Sequence, residues 1–171
     1  INFNTAIFTN LSRDNLDYHK TFKDYLNSKL KLFNELLSRE GNIIFENSIK
    51  ESTILNKISK KKNLKKYTLG NSKSFINIKD VKKINNKKKI DFTVNKKNYS
   101  FETSLIGDIQ IKNLMFAIVA AYLSGMKINN IIKSIHKIKT IRGRLEKVGN
   151  LKNKARVILD YAHTPHALKT L

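Results

Sequence analysis

The sequence of 171 residues contains no cysteine, no tryptophan and a single proline. Without cysteine the chain forms neither disulfide bonds nor thiolate metal sites, which is usual for proteins of the reducing cytoplasm. No apolar run approaches the ~20 residues that a membrane-spanning helix needs, and nothing resembles a signal peptide. We therefore expect a cytoplasmic protein that does not bind membranes.

Acidic residues are also scarce: 13 Asp and Glu stand against 34 Lys and Arg, which gives a formal net charge of +21. Such an excess can indicate nucleic-acid binding. Here most of the basic residues are lysines, and they accompany many Asn and Ile residues, a composition typical of AT-rich coding sequences. Aromatic side chains do not alternate with the lysine runs as a base-stacking surface requires. We therefore predict no nucleic-acid partner and keep a basic nucleic-acid-binding module as an alternative.

Apolar periodicity predicts alternating strands and helices in the first part of the chain. Strand patterns cover residues 1–9 and 42–46. A helical pattern covers residues 21–38, and Gly41 is expected to end that helix. A second, shorter helix is predicted at residues 52–61.

The second part begins with short β patterns and ends with a single strand. Residues 75–78, 90–94 and 99–103 predict a small antiparallel sheet beside the main one. A helix that is apolar almost all round is predicted at residues 113–125 and should be buried. Residues 155–160 predict a last, buried strand. The whole pattern predicts an α/β fold with a mostly parallel sheet, flanking helices and a small antiparallel sheet.

Polar side chains follow the first and the last predicted strand. The run Asp-Tyr-Ala-His-Thr-Pro occupies residues 160–165, and Thr-Asn-Leu-Ser-Arg-Asp occupies residues 9–14. Ligands of open α/β sheets bind at the carboxyl ends of the strands, so the two loops predict one cleft lined by both. At such a strand end Asp160 could bond a ribose hydroxyl, and His163 could bind a ligand or cap the next turn.

Lys29 lies on the apolar stripe of the first helix, between Leu26 and Phe33. A lysine in this place must extend its amine to solvent, meet a carboxylate or lose its charge. A neutral amine can take up carbon dioxide and become a carbamate, whose oxygens suit Mg²⁺. The pattern alone favours the solvent-directed amine.

Several other polar residues admit both a structural and a functional interpretation. Asp14 and Asp17 could ligate a metal, hold an arginine or cap a helix. Asn113 could cap the buried helix that it is predicted to begin. Arg142 and Arg144 could bind phosphate oxygens in the bidentate way that lysine cannot, or lie in an exposed turn.

Four blocks, in order and over nearly the whole chain, resemble the Mur ligases, the ATP-dependent amide-bond-forming enzymes of peptidoglycan synthesis. The first is Phe-Thr-Asn-Leu-Ser-Arg-Asp at 8–14 with Leu-Asp-Tyr-His at 16–19, and the second runs from Tyr25 to Lys29. The third joins Gly107 to Asn113 and the alanine-rich helix. The fourth is Gly-Arg-Leu-Glu at 143–146 with the run at 160–165.

On the nucleotide side, the resemblance implies one role for each matched residue. Asn113 would contact the adenine, and Arg144 would meet ATP at the domain hinge. Asp160 would hold the ribose, with Tyr161 and His163 nearby in the nucleotide cleft.

On the catalytic side, the resemblance implies that Lys29 is the family's carbamylated lysine, which positions Mg²⁺ and the acyl phosphate. Arg13, Asp14 and His19 would shape the metal and substrate side. Asn15 stands where the family usually has a metal-binding histidine, and it would offer a carbonyl oxygen instead.

The resemblance also implies a division of the chain. Residues 1–142 would be most of a P-loop-type ATPase domain that lacks its glycine-rich phosphate loop. Residues 143–171 would begin a carboxyl-terminal ligase domain with the first strand of a Rossmann-like fold. A chain without the phosphate loop should be inactive alone.

The activity implied for the parent protein is ATP- and Mg²⁺-dependent ligation through an acyl phosphate, by a monomer. The matched blocks resemble most the branch that adds a diamino acid, 2,6-diaminopimelate, to UDP-N-acetylmuramoyl-L-alanyl-D-glutamate. A lysine-adding ligase and a folylpolyglutamate-type ligase are the alternatives within the enzymes.

Overall fold

The computed structural model describes residues 2–12, 19–153 and 155–169, and of His166 only the backbone. The strands are β1 (Phe3–Phe8), β2 (Leu37–Glu46), β3 (Lys65–Leu69), β4 (Ile76–Ile84), β5 (Lys87–Val94), β6 (Lys97–Thr103), β7 (Glu146–Asn150) and β8 (Arg156–Leu159). The helices are α1 (Phe22–Lys31), α2 (Ser52–Lys61), α3 (Asp108–Leu123), α4 (Ile128–Ser134) and α5 (Pro165–Lys169). A π-helical turn, Leu32–Leu36, extends α1, and a 3₁₀ turn, Ile135–Lys137, extends α4.

The main sheet has six strands that pair in chain order, from β1 to β6. Strands β1 to β4 run parallel to one another, and β5 and β6 add an antiparallel end. Strands β7 and β8 form a separate antiparallel pair. The predicted α/β fold, with flanking helices and a small antiparallel part, is confirmed.

Strand β2 lies inside the sheet and is covered on both faces. Its alternate side chains point to opposite faces, because the side-chain period of a strand is two. Ile43 and Phe45 pack with residues of β1, α1 and α2, whereas Ile44 packs with residues of α3, α4 and the antiparallel strands. All three side chains are fully buried. The fold is therefore a three-layer arrangement of helices, sheet and helices.

The helix after β1 is shorter than its apolar pattern predicts. The helical segment ends at Leu36, and Leu37 already begins β2. The prediction that Gly41 ends the helix is wrong, since Gly41 lies within β2. An added Cβ at Gly41 would lie 3.1 Å from the carbonyl oxygen of Asn4, so glycine allows β1 and β2 to approach closely.

Helix α3 confirms the predicted buried helix and corrects its start. It spans 16 residues, and its buried side chains include Ile111, Met115 and Ile118. It begins at Asp108 with Gly107 at the N-cap position, so the interpretation of Asn113 as a cap is wrong. In the part of the chain that the structure describes, this and the other helices are too short or too polar to cross a bilayer.

The strands with few buried side chains are those that the sequence pattern predicts poorly. The pattern misses β3, which begins with two exposed lysines, and β7, which has no buried residue. The predicted last strand exists as β8 but is not buried: Val157 is 38% exposed and Leu159 is 48% exposed. The prediction of burial fails because β7 is the only described strand that pairs with β8.

Candidate active site

The polar loops after β1 and β8 meet, as the sequence predicts, at one cleft. Asn10 and Asp160 line the same cavity, whose volume is about 390 Å³, together with Asn113 and Arg144. The first turn of α3 completes the wall, and Gln110 is part of it. Three residues assigned to the nucleotide side therefore line the cleft: Asn113 from α3, Arg144 from the loop before β7 and Asp160 from the end of β8.

Both carboxylate oxygens of Asp160 accept backbone hydrogen bonds. The N–H of Leu145 donates to Oδ2 at 2.7 Å, and the N–H of Ala162 donates to Oδ1 at 2.7 Å. Leu145 has a φ of +47°, which a leucine adopts only when surrounding contacts hold it there. Charge-assisted bonds of this kind are the stronger ones, so Asp160 fixes the loop that carries Arg144. Each oxygen keeps a second lone pair for a ligand.

The loop before β7, which contains Leu145, packs closely on the start of α3. Gly107 has a φ of +82°, and an added Cβ there would lie 2.3 Å from Cδ1 of Leu145. No side chain of the described residues caps the N-terminus of α3. The N–H groups of that turn therefore remain available at the wall of the cleft, where they favour an anion.

The substitution Gly107→Ala should disturb this packing more than an equally strained change elsewhere. The left-handed backbone costs about 1–3 kcal/mol for alanine, and the new methyl group displaces Leu145. Gly125→Ala is the matched control, since Gly125 has a φ of +91° and nothing within 4 Å of an added Cβ. In urea titrations Gly107→Ala should lose more free energy of unfolding than Gly125→Ala, because it also displaces Leu145, and only Gly107→Ala should weaken nucleotide binding. Equal nucleotide affinity in the two variants would contradict the packing argument.

Arg144, Tyr161 and His163 form a cluster beside the cleft. The guanidinium carbon of Arg144 lies 5.0 Å from the centre of the Tyr161 ring, and the Tyr161 and His163 rings are 5.0 Å apart. Nδ1 of His163 lies 3.0 Å from the carbonyl oxygen of Tyr161. Tyr161 and His163 are exposed and are not among the residues that line the cavity. Tyr161 is placed to orient the Arg144 side chain by a cation–π contact, and His163 packs against Tyr161.

Lys29 lies where the first strand-end loop meets α1. Its Nζ donates a hydrogen bond to the backbone carbonyl oxygen of Asn10 at 2.9 Å. The same nitrogen lies 5.0 Å from the ring centre of Tyr25 and 5.9 Å from that of Phe8. Lys29 is half-buried and lines a cavity of about 230 Å³ with Thr9, Asn10 and Ser28. The amine is therefore turned into the fold and not simply extended to solvent.

Asn10 connects the two cavities, because it lines both of them. Lys29 bonds the backbone of Asn10, and Asp160 lies across the second cavity from the same residue. The Lys29 side and the Asp160 side of the site are thus separated by one residue of the loop after β1.

His19 lies near Lys29 but outside both cavities. Its ring stacks on Tyr25 with a centroid distance of 5.0 Å. The other residues assigned to the catalytic and metal side, Arg13, Asp14 and Asn15, lie outside the described residues, as does Asp17. Within residues 2–12, 19–153 and 155–169, no group of three or more His, Asp and Glu side chains could hold a metal ion.

An ion pair that the sequence does not predict supports α3, which forms one wall of the cleft. Nζ of Lys112 on α3 donates to Oε2 of Glu46 at the end of β2, at 2.8 Å. Ser48 donates to the other oxygen of Glu46 at 2.8 Å. The pair fixes α3, next to Asn113, on the carboxyl end of the sheet. No local signal marks it, because its members are 66 positions apart.

The family model described as "Mur ligase middle domain" matches residues 1–121. A UDP-N-acetylmuramoyl-L-alanyl-D-glutamate–2,6-diaminopimelate ligase from Rickettsia bellii (strain RML369-C) is 36% identical over 169 residues, which are 97% of this chain and 34% of that protein. Among solved structures, the MurF ligase from Thermotoga maritima in complex with ADP matches with a TM-score of 0.81 and 15% identity, over 99% of this chain and 38% of that one. A solved UDP-N-acetylmuramoyl-L-alanyl-D-glutamate–2,6-diaminopimelate ligase matches with a TM-score of 0.76 and 24% identity, over 98% of this chain and 35% of that one.

The chain spans about a third of the length of the curated relatives it matches. The solved structures show that the fold is shared beyond the residues of the family model, since they cover nearly the whole chain. With the family model matching well over half of the sequence, this chain belongs to the Mur ligase middle domain family.

Proposed function

We propose that the whole protein is an ATP-dependent ligase that joins 2,6-diaminopimelate to UDP-N-acetylmuramoyl-L-alanyl-D-glutamate in the cytoplasm. The observation that carries the proposal is the cleft in which Asn113, Arg144 and Asp160 meet Asn10, one residue away from the pocket of Lys29. In this proposal residues 1–142 belong to the nucleotide-binding domain, and residues 143–171 begin the next domain.

The nucleotide is proposed to lie across the 390 Å³ cleft. Asn113 offers an amide to the adenine, and Asp160 has free lone pairs for the ribose hydroxyls. Arg144 and the uncapped N-terminus of α3 supply positive charge for phosphate oxygens. The complex of the Thermotoga maritima MurF ligase with ADP supports a nucleotide site in this fold.

The residues around Lys29 fit a magnesium site by the chemistry of their donors. A carbamate on Nζ would add two oxygens that share one negative charge, and Thr9, Asn10 and Ser28, which carry oxygen donors, line the same cavity. Hard oxygen donors are those that Mg²⁺ prefers. When bound, Mg²⁺ would neutralise the charge that develops on the transferred phosphoryl group. Asp14 and Asn15 are proposed as further donors on this side, with Arg13 and His19 shaping the substrate pocket.

The reaction that this arrangement supports has two steps. A carboxylate oxygen of the D-glutamyl residue attacks the γ-phosphorus of ATP, the bond from that phosphorus to the β–γ bridging oxygen breaks, and ADP leaves. The free amine of the diamino acid then attacks the acyl carbon, and the amide forms as phosphate departs and the amine loses a proton. Arg144 would hold the phosphates in line, and Asn113 and Asp160 would orient the nucleoside.

A test is phosphate release by the purified full-length protein with ATP and UDP-N-acetylmuramoyl-L-alanyl-D-glutamate. Release should depend on 2,6-diaminopimelate, and a new amide product should appear by mass spectrometry. Lysine in place of the diamino acid tests the lysine-adding alternative, and folate with glutamate tests the folylpolyglutamate-type alternative. Residues 1–171 alone should show no turnover. Turnover with lysine but not with 2,6-diaminopimelate would overturn the proposed substrate.

A further inference from the structure

A larger cavity, of about 690 Å³, lies between the β4–β5 hairpin and the β7–β8 pair. Lys83, Lys87 and Lys88 line it from the hairpin, and Lys147 and Arg156 line it from β7 and β8. Within the described part of the chain, no Asp or Glu lines this cavity. It shares no lining residue with the candidate nucleotide cleft. We call it the basic cavity.

The positive charge of the basic cavity is poorly compensated. Among the residues that the structure describes, Lys83, Lys147 and Arg156 form no ion pair. Lys88 lies 3.5 Å from a carboxylate oxygen of Asp108, whose side chain is 97% exposed, and such an exposed pair contributes little. Lys87 lies 3.7 Å from a carboxylate oxygen of Glu102 on β6, in a pair whose side chains are 59% and 51% exposed.

The strand register adds repulsion at the same place. Lys83 on β4 lies directly opposite Lys88 on β5, and both line the basic cavity. Like charges directly opposite each other on neighbouring strands destabilise a sheet. An anion between the two strands of the hairpin and the β7–β8 pair would turn this repulsion into attraction.

The lining also indicates which anion fits. No aromatic side chain of the described residues lines the basic cavity, so nucleobases would find nothing on which to stack. Asn85, Asn86 and Ser104 add neutral hydrogen-bonding groups between the cations. Five cations spread over this volume suit several linked phosphates better than a single one.

We propose that the basic cavity binds a linear polyphosphate anion, which bridges the β4–β5 hairpin and the β7–β8 pair. This site is independent of the proposed ligase chemistry. Because its two sides belong to the two predicted domains, the bound anion also holds the start of the second domain against the first.

The test is calorimetric titration of the full-length protein with sodium tripolyphosphate, with and without saturating ADP. The test variant is Lys83→Gln with Lys147→Gln and Arg156→Gln. The matched control is Arg39→Gln with Lys57→Gln and Lys133→Gln, which removes the same charge from exposed side chains outside the basic cavity. Thermal melts of each variant check that it folds.

Tripolyphosphate should bind with ADP present, and the test variant should weaken binding at least about tenfold, whereas the control should change it less than about twofold. Orthophosphate should bind far more weakly than tripolyphosphate. Equal losses in both variants would show a general surface-charge effect and overturn the site. Displacement by ADP would assign the anion to the nucleotide cleft instead. Tighter, salt-sensitive binding of random duplex DNA that the test variant loses would overturn the proposal in favour of a nucleic-acid site.

Discussion

Replacing Lys29 by methionine in the full-length protein should lower the kcat of amide-bond formation by about 10²–10³-fold, the usual effect of removing one group that stabilises a transition state. Methionine fills the same space against Phe8 and Tyr25 but has no amine to form a carbamate. Folding should change little, because the lost contacts are one hydrogen bond to Asn10 and two ring contacts of a half-buried side chain. The measurement is kcat from phosphate release, with the free energy of unfolding from urea titration.

Lys31→Met is the matched control for this substitution. Lys31 is exposed on the same helix and lines neither cavity of the candidate active site. Its replacement should leave kcat within about twofold, as for most surface changes remote from the chemistry. If Lys29→Met retains full activity, Lys29 is not the catalytic group.

Asp160→Ala should release the loop before β7 and weaken ATP binding together. The N–H groups of Leu145 and Ala162 would lose their acceptor, and because both bonds are partly buried, the cost for each is at most that of a fully buried unsatisfied group, about 1–3 kcal/mol. Hydrogen exchange at these two amides should therefore accelerate by about 10–100-fold, and the KM for ATP should rise at least about tenfold. Exchange at these amides is measured by NMR and KM by phosphate release.

Two comparison variants separate the roles of Asp160. Asp160→Asn keeps one oxygen acceptor and should give an intermediate loss of protection at the two amides. Glu35→Ala removes an exposed carboxylate from the π-helical turn and should change neither quantity. A rise in KM without faster exchange would mean that Asp160 acts on the nucleotide alone.

The parts of the fold with buried, periodic side chains are those that the sequence predicts well. Helix α2 is predicted at residues 52–61 and spans Ser52–Lys61, because its apolar residues recur at helical spacing. The strand around Ile44 is predicted because Ile43, Ile44 and Phe45 form a short apolar run. Strands β3 and β7 are missed because exposed lysines and other polar residues hide their alternation.

The candidate site was predictable only where local pattern or family resemblance marks a residue. Lys29 can be recognised because it is a charged residue on the apolar stripe of a helix. Asp160 can be recognised because it directly follows a predicted strand. Asp160 follows β8, which belongs to a separate antiparallel pair, so its meeting with Asn10 depends on how that pair packs beside the main sheet and not on parallel-strand topology. The Lys112–Glu46 pair and the approach of Leu145 to Gly107 depend on tertiary packing between distant segments, so no short sequence window contains them.

The alternation along β2 has a thermodynamic consequence. Ile43 and Phe45 belong to one apolar cluster and Ile44 to the other. If either helical layer detached, it would therefore expose apolar side chains of β2, the strand on which the opposite layer also packs. Both layers should therefore melt in one cooperative step. A pairing shifted by one position would exchange the faces to which Ile43, Ile44 and Phe45 point, so each apolar cluster would receive the side chains that now fill the other.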